Sequence, residues 1–133
     1  MKTVNNFNEA LFIYAVYSSS SERAGAKLEN IIAYNDYLNH TIPTYSEFID
    51  SGIKLINAGL IKQTGNEFHV TIKFKDWFIM HIPANKSTHI EIIKSVQKFL
   101  GKEFTASFPD NSNSLLTISE NDFKAAVTDY LHK

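Results

Sequence analysis

Apolar residues recur at helical spacing in the first part of the chain. The segment from Asn8 to Tyr17 is apolar around nearly its whole circumference, which is typical of a helix at the centre of a core or of one also used in a subunit interface. A second helix is predicted from about Leu28 to Leu38, with Asn35 inside its apolar stripe. Because buried amides normally find hydrogen-bond partners, we expect Asn35 to bond to the backbone of the following turn rather than to contact a ligand.

A third helix is predicted from Tyr45, and it has the clearest separation of apolar and polar sides in the chain. Thr44 and Glu47 have the spacing of a capping box, and Gly59 suits the left-handed position after a last helical turn. Pro43 requires the second helix to end before it. We expect the apolar half of the third helix to pack on the second helix. The polar half consists of Ser46, Glu47, Asp50, Ser51, Lys54 and Asn57.

The residues after Gly59 predict a β-hairpin. Leu60 to Lys62 reads as a strand and Thr64 to Asn66 as a turn. From Glu67 to Phe74, apolar and polar residues alternate with period two, which predicts a second, half-buried strand. Ser18 to Ser21 and the residues up to Gly25 are predicted to form a loop.

The pattern from Lys75 onwards is less regular. Trp77 to Ile82 is compatible with a strand or a helix. Thr88 and Glu91 form a second capping-box pattern, which begins a helix predicted to end at Gly101. An irregular segment follows from Phe104 to Leu116. A last helix, capped by Ser119, carries an apolar stripe of Phe123, Ala126, Val127, Tyr130 and Leu131.

Length and composition favour one globular domain. The 133 residues are 44% hydrophobic and 13% aromatic, which suits a packed core better than a disordered chain. With no cysteine, disulfides, thiolate metal sites and cysteine nucleophiles are excluded. The apolar run from Ala10 to Tyr17 is too short to span a bilayer and lacks the features of a secretory signal. We therefore expect a cytoplasmic protein without a membrane segment.

Two stretches resemble the winged helix-turn-helix superfamily. Residues 42–48, Ile-Pro-Thr-Tyr-Ser-Glu-Phe, are followed at 55–61 by Leu-Ile-Asn-Ala-Gly-Leu-Ile, a sequence common in that superfamily between the recognition helix and the wing. More loosely, residues 36–44 resemble uncharacterised bacterial winged-helix proteins. The resemblance implies an α+β, mostly helical fold: a winged-helix core of three helices and a hairpin over about 7–75, and a C-terminal helical extension over about 76–133.

The resemblance also implies a nucleic-acid surface, since in DNA-binding members the second helix of the motif enters the major groove and the wing touches the backbone. The candidate contact residues on the third helix and near Gly65 in the wing are Ser46, Lys54, Asn57, Lys62, Thr64 and Asn66.

The charges on this surface are unfavourable for DNA. Glu47 and Asp50 outnumber Lys54 on the exposed side of the helix, and the chain has one arginine, Arg23, in the serine-rich loop. Lys62, Lys73 and Lys75 form the basic grouping near the wing. We expect a non-catalytic protein-interaction or dimerisation module. The alternative is a DNA-binding transcriptional regulator of modest affinity.

The sequence patterns suggest binding partners for this protein but no cofactor. The candidate partners are a second copy, another protein or duplex DNA, and the candidate dimer interface consists of Phe12, Val16, Phe123, Val127 and Tyr130. The five histidines lack the spacing of a zinc hydrolase, and no glycine-rich phosphate loop or paired acid and base is present. We therefore predict no catalytic residue, metal site or cofactor.

Overall fold

The computed structural model describes residues 6–20, 24–82, 88–106 and 118–132. Within these ranges the chain is α+β and mostly helical, as predicted, with six α-helices and a small antiparallel sheet. The elements are α1 Phe7–Ser19, β1 Ala26–Lys27, α2 Leu28–Asn39, α3 Tyr45–Asn57, β2 Ile61–Thr64, β3 Glu67–Val70, α4 Ile72–His81, α5 His89–Ala106 and α6 Glu120–Leu131.

Helix α1 runs through the centre of the core. Its residues from Glu9 to Val16 are all buried, and it packs against α2, α3, α5 and the sheet. Phe12 lies 4.6 Å from Phe48 of α3 and 5.9 Å from Phe68 of β3, measured between ring centroids. The all-round apolar surface of α1 is therefore used within a single chain, because every side of the helix has an internal neighbour.

The start and end of α3 are confirmed. The Glu47 amide donates to Thr44 Oγ1 at 3.1 Å, and the Thr44 amide donates to Glu47 Oε1 at 2.9 Å, which completes the capping box. After the helix, Gly59 has a φ of +73°, in the left-handed region. The expected packing differs, because the apolar half of α3 lies mainly on α1 rather than on the preceding helix.

The hairpin of β2 and β3 is confirmed, with Gly65 at a φ of +62° in its turn. A third strand, β1, was not predicted. It pairs antiparallel with β3, with Ala26 opposite Phe68, so the sheet order is β1-β3-β2. A Cβ atom on Gly25 would lie 2.6 Å from the Phe68 carbonyl oxygen, so this close approach requires glycine.

The second hairpin strand is shorter than the alternating pattern predicted, because β3 ends at Val70 and α4 begins at Ile72. Alternation would have buried Ile72 and Phe74 on the same face. Instead Phe74 is fully buried, whereas Ile72 is 75% exposed. The apolar residues Phe74, Trp77 and Phe78 lie at helical spacing, and their rings pack on α1 and α5.

Helix α5 begins as predicted but continues past Gly101 to Ala106. At its start, the Glu91 amide donates to Thr88 Oγ1 at 3.2 Å, and the Thr88 amide donates to Glu91 Oε1, which lowers the pKa of that carboxyl group. The extra turn is held by an ion pair between Glu103 and Lys73 of α4. Gly101 is therefore a position within the helix rather than its end.

Helix α6 packs on α2 and α3. Ser119 caps it as predicted, accepting from the Asp122 amide at 3.0 Å. Phe123 contacts Phe48 of α3, with ring centroids 5.2 Å apart. Tyr45 Oη donates to the carbonyl oxygen of Ile118 at 2.7 Å. Most of the segment predicted to be irregular between α5 and α6 lies outside the described residues, as does part of the predicted serine-rich loop.

Candidate functional site

The outward side of α3 carries the first group of predicted contact residues. Ser46 and Lys54 are exposed and Asn57 is half-buried, and Glu47 and Asp50 are exposed on the same helix. Cations and anions are thus interleaved there, with more anions than cations. Since phosphate binding needs unbalanced positive charge, this helix offers little non-specific affinity for DNA.

Ser51 and Lys54 meet a buried carboxylate that the sequence pattern did not single out. Ser51 is buried rather than on the polar side, and its Oγ donates to Glu9 Oε2 of α1 at 3.3 Å. Lys54 Nζ lies 3.6 Å from the same oxygen, while the Glu9 side chain is only 10% exposed. The charge of Lys54 is therefore already partnered within the chain, which lowers its value for a phosphate contact.

The hairpin carries the second group of predicted contact residues. Lys62, Thr64 and Asn66 are all exposed around the turn. The predicted basic grouping near the wing is wrong in one respect: Lys73 and Lys75 belong to α4 rather than to the hairpin strand. Lys62 thus remains as the one cation among the three predicted wing contacts.

A small polar cavity lies between α1, α2 and α3. It encloses about 70 Å³, enough for ordered water but small for an organic ligand. Asn35 lines this cavity and is buried as predicted, but its Nδ2 donates to the Ile31 carbonyl of its own helix at 2.9 Å rather than to the following turn. The polar side chains that line the cavity are Asn8, Asn35, Asn39, Thr41, Glu47 and Ser51.

An aromatic cluster joins α1, α2, α4 and α5. The Tyr14 ring lies 5.9 Å from Tyr34, 6.3 Å from Phe78 and 5.7 Å from His89, and Tyr37 lies 6.0 Å from His89. Burial, followed by the charge that Tyr34 acquires on ionisation, raises the pKa of Tyr14 to about 12. The Tyr14 hydroxyl therefore keeps its hydrogen, and it lies 2.7 Å from His89 Nδ1.

Large apolar side chains are exposed on α2, α4 and α5, three of the helices that carry this cluster. Tyr37 is 64% exposed, Ile79 63%, Met80 79% and Ile90 67%. Ile79 and Met80 directly follow the α4 member of the aromatic cluster, and Ile90 directly follows its α5 member. We call these four residues the apolar patch. Exposed large apolar side chains are a common mark of a protein-binding surface where they lie together.

The predicted dimer interface needs correction. Phe12 and Val16 are 2% and 0% exposed, and Phe123 is 4% exposed, so these side chains belong to the internal core and offer no surface to a second copy. Val127 and Tyr130 are half-buried against that core. Tyr130 Oη donates to Asp36 Oδ2 of α2 at 2.6 Å, and this hydrogen bond raises the pKa of Tyr130.

The histidines have separate surroundings. His81 Nδ1 bonds to the Trp77 carbonyl, His132 Nδ1 to the Thr128 carbonyl, and His89 to Tyr14. Within residues 6–20, 24–82, 88–106 and 118–132, no three His, Asp or Glu side chains come close enough to hold a metal ion.

Two findings concern the chain as a whole. Every helix in the described parts is too short or too polar to cross a lipid bilayer. The chain matches no protein-family model, no curated protein and no solved structure.

Proposed function

We propose that this protein is a non-catalytic winged-helix protein that acts through protein contacts, with a second copy of its own chain as the partner. The element order α1, β1, α2, α3, β2, β3 supports a winged-helix core, with α5 and α6 in the C-terminal extension of the same domain. We place the protein in the cytoplasm as part of this proposal, and the absence of cysteine is compatible with a reducing compartment.

The apolar patch is the observation on which this proposal rests. Tyr37, Ile79, Met80 and Ile90 are each more than three-fifths exposed, although chains normally bury side chains of this kind. Covering them would remove apolar surface from water at about 25 cal/mol per Å². Tyrosine and methionine are also enriched at protein interfaces, whereas the acidic side of α3 resembles an ordinary solvated surface.

A second copy is the partner best matched to the chemistry of the patch. A two-fold dimer places a patch against itself, so a charged patch would meet its own charge. Because all four members of the apolar patch are uncharged, two copies of the patch can meet without electrostatic repulsion. The formal net charge of −1 for the whole chain also gives little long-range repulsion between copies.

Sedimentation velocity on the full chain tests the proposal. We expect a dimer at micromolar concentration, and we expect the double substitution Met80→Asp and Ile90→Asp to give a folded monomer, because charge in the interface must be desolvated. Leu131→Asp is the matched control, since Leu131 is similarly exposed at 61% but lies on α6. It should remain dimeric.

Two results would overturn the dimer proposal. One is a wild-type monomer at high micromolar concentration. The other is a dimer that survives the patch substitutions but dissociates with Leu131→Asp, which would move the interface to the C-terminal helix. Circular dichroism of each variant shows whether it has kept its helices.

DNA binding of modest affinity is the second candidate function. The observation that favours it is that Ser46, Lys54, Lys62, Thr64 and Asn66 all reach the surface of α3 and the hairpin. A binder of this kind would lose affinity steeply as salt rises.

Fluorescence anisotropy with random duplex DNA at two salt concentrations distinguishes the candidates. If the hairpin contacts DNA, Lys62→Glu should weaken binding, while Lys124→Glu on α6 makes the same charge change away from the hairpin and should have a smaller effect. Absence of binding even at low salt would remove this second candidate and leave the dimer proposal untouched.

A further inference from the structure

An open cleft lies between α4 and α5. Its volume is about 340 Å³, within the range of about 300–1,000 Å³ that is usual for small-molecule sites. Its walls are formed by Trp77 and His81 of α4 and by residues of α5. The lining residues are Trp77, His81, Ser95, Lys98, Phe99 and Lys102.

Three stacked aromatic rings line this cleft. The Trp77 ring stacks on Phe99 with centroids 4.3 Å apart and an interplanar angle of 22°. The His81 ring also stacks on Trp77, with centroids 5.6 Å apart and an interplanar angle of 19°. His81 Nδ1 lies 3.0 Å from the Trp77 carbonyl oxygen, which can only accept, so Nδ1 donates and Nε2 is the remaining polar atom of the ring.

Two lysines give the cleft a positive edge. Lys98 and Lys102 lie four residues apart on α5, so their side chains leave the same face of the helix about 6 Å apart along its axis. Both are exposed, and among the residues that the structure describes neither forms an ion pair. Glu103, the acid that follows Lys102, is paired with Lys73. Within the described parts of the chain, no carboxylate lines the cleft.

We propose that this cleft binds a small organic anion with a flat apolar body, of the class of aromatic carboxylates. The apolar body would lie against the stacked rings, which bury it from water. The carboxylate would accept charge-assisted hydrogen bonds from the ammonium groups of Lys98 and Lys102, with the Ser95 hydroxyl as a neutral donor. No member of the apolar patch and no residue of α3 is among the lining residues, so the site does not depend on the proposed function.

The chain has a single tryptophan, and it lies in this cleft. The indole N–H resonance of Trp77 in a heteronuclear NMR spectrum is therefore an unambiguous local reporter. We expect phenylacetate to shift this resonance in a saturable way in the millimolar range, as suits so small a ligand. Phenylacetamide, which has the same body without the charge, should bind several-fold more weakly.

A pair of double variants tests the role of the charges. Lys98→Gln with Lys102→Gln should weaken phenylacetate binding about tenfold, the size expected for two partly screened charges. Lys62→Gln with Lys124→Gln removes the same net charge on the hairpin and on α6, and should change binding less than twofold. Both variants alter exposed side chains, so the fold should persist, and the spectrum itself shows whether it does.

Three outcomes would overturn the proposal. The first is that phenylacetate leaves the Trp77 resonance unmoved. The second is equal affinity for phenylacetate and phenylacetamide, which would mean that the cleft recognises the ring alone. The third is an equal loss in the two double variants, which would mean that affinity follows net charge rather than Lys98 and Lys102.

Discussion

The carboxylate of Glu9 shows how a single residue connects distant parts of this chain. It lies almost fully buried in the most apolar helix, where an unpaired charge would be costly. Ser51 and Lys54, more than forty residues away, supply the hydrogen bond and the opposite charge. A lone acid in the first turn of an apolar helix was the available signal in the sequence, but only the tertiary structure identifies its partners.

The Glu9–Lys54 pair can be tested by a double-mutant cycle. We expect Lys54→Met to lower the free energy of unfolding by about 1 kcal/mol, because it leaves a buried carboxylate with one partner fewer. Glu9→Gln removes the charge but keeps the shape, so Lys54→Met should cost little in that background. Urea denaturation of the four proteins measures the coupling.

Lys62→Met is the control for the cycle, since Lys62 is an exposed lysine on the hairpin, and its change should stay within about 0.5 kcal/mol. If the effects of Glu9→Gln and Lys54→Met add to within about 0.3 kcal/mol, the two side chains do not interact and the pairing is wrong.

At the scale of elements, β1 and α4 depend on contacts with residues far along the chain. The two residues of β1 have no strand pattern of their own, and they are extended because β3 bonds to them. The first turn of helix α4 replaces the end of a predicted strand, because the aromatic side chains of this helix pack on α1 and α5 only at helical spacing. Tertiary packing has overridden a local alternation in this segment.

Two glycine substitutions test the close approach of β1 to β3 and the continuation of α5 past Gly101. Gly25→Ala should destabilise the protein by about 1–3 kcal/mol, because its Cβ would lie 2.6 Å from the Phe68 carbonyl oxygen and force β1 from β3. Gly101→Ala should stabilise it by about 0.5–1 kcal/mol, since the position is within a helix and the nearest atom would be 3.6 Å away.

Thermal or urea unfolding of both alanine variants checks these opposite signs. A stabilising Gly25→Ala would mean that β1 does not approach β3 so closely. A destabilising Gly101→Ala would mean that α5 ends near this residue, as the sequence pattern had predicted.

At the scale of the whole molecule, α1 forms the axis of a core to which both halves of the chain contribute. Helices α2, α3 and α5 all pack on it, while α6 packs on α2 and α3 through Phe123 and Tyr130. The residues after the hairpin are therefore joined to those before it by extensive contacts. We infer that the chain unfolds as one cooperative unit.

This inference predicts coincident unfolding transitions. Trp77 fluorescence reports on the contact between α4 and α5, whereas far-UV circular dichroism reports on all helices. The two should give the same midpoint in urea. Phe123→Ala, a truncation in α6, should lower both midpoints together and reduce the free energy of unfolding by about 3–5 kcal/mol. A fluorescence midpoint that stays unchanged in Phe123→Ala would show that α6 unfolds independently.

Local chemistry was enough to predict where several helices begin. The capping boxes at Thr44 and Thr88 and the cap at Ser119 bond residues three apart in sequence, so the necessary information lies within one turn. The same is true of the hairpin turn at Gly65, whose positive φ favours glycine. The sequence by itself thus determined where α3, α5 and α6 begin and that the described chain is mostly helical.

Tertiary structure decided which surfaces are internal and which remain open. Phe12 and Ile90 are both apolar residues of helices, yet Phe12 is enclosed by α3 and the sheet whereas Ile90 is 67% exposed. Likewise, Lys54 forms an ion pair with Glu9, whereas Lys98 and Lys102 line an open cleft. Burial and charge pairing depend on contacts between elements that are distant in sequence. A periodic pattern indicates only which side of an element is apolar, and it does not indicate what that side will contact.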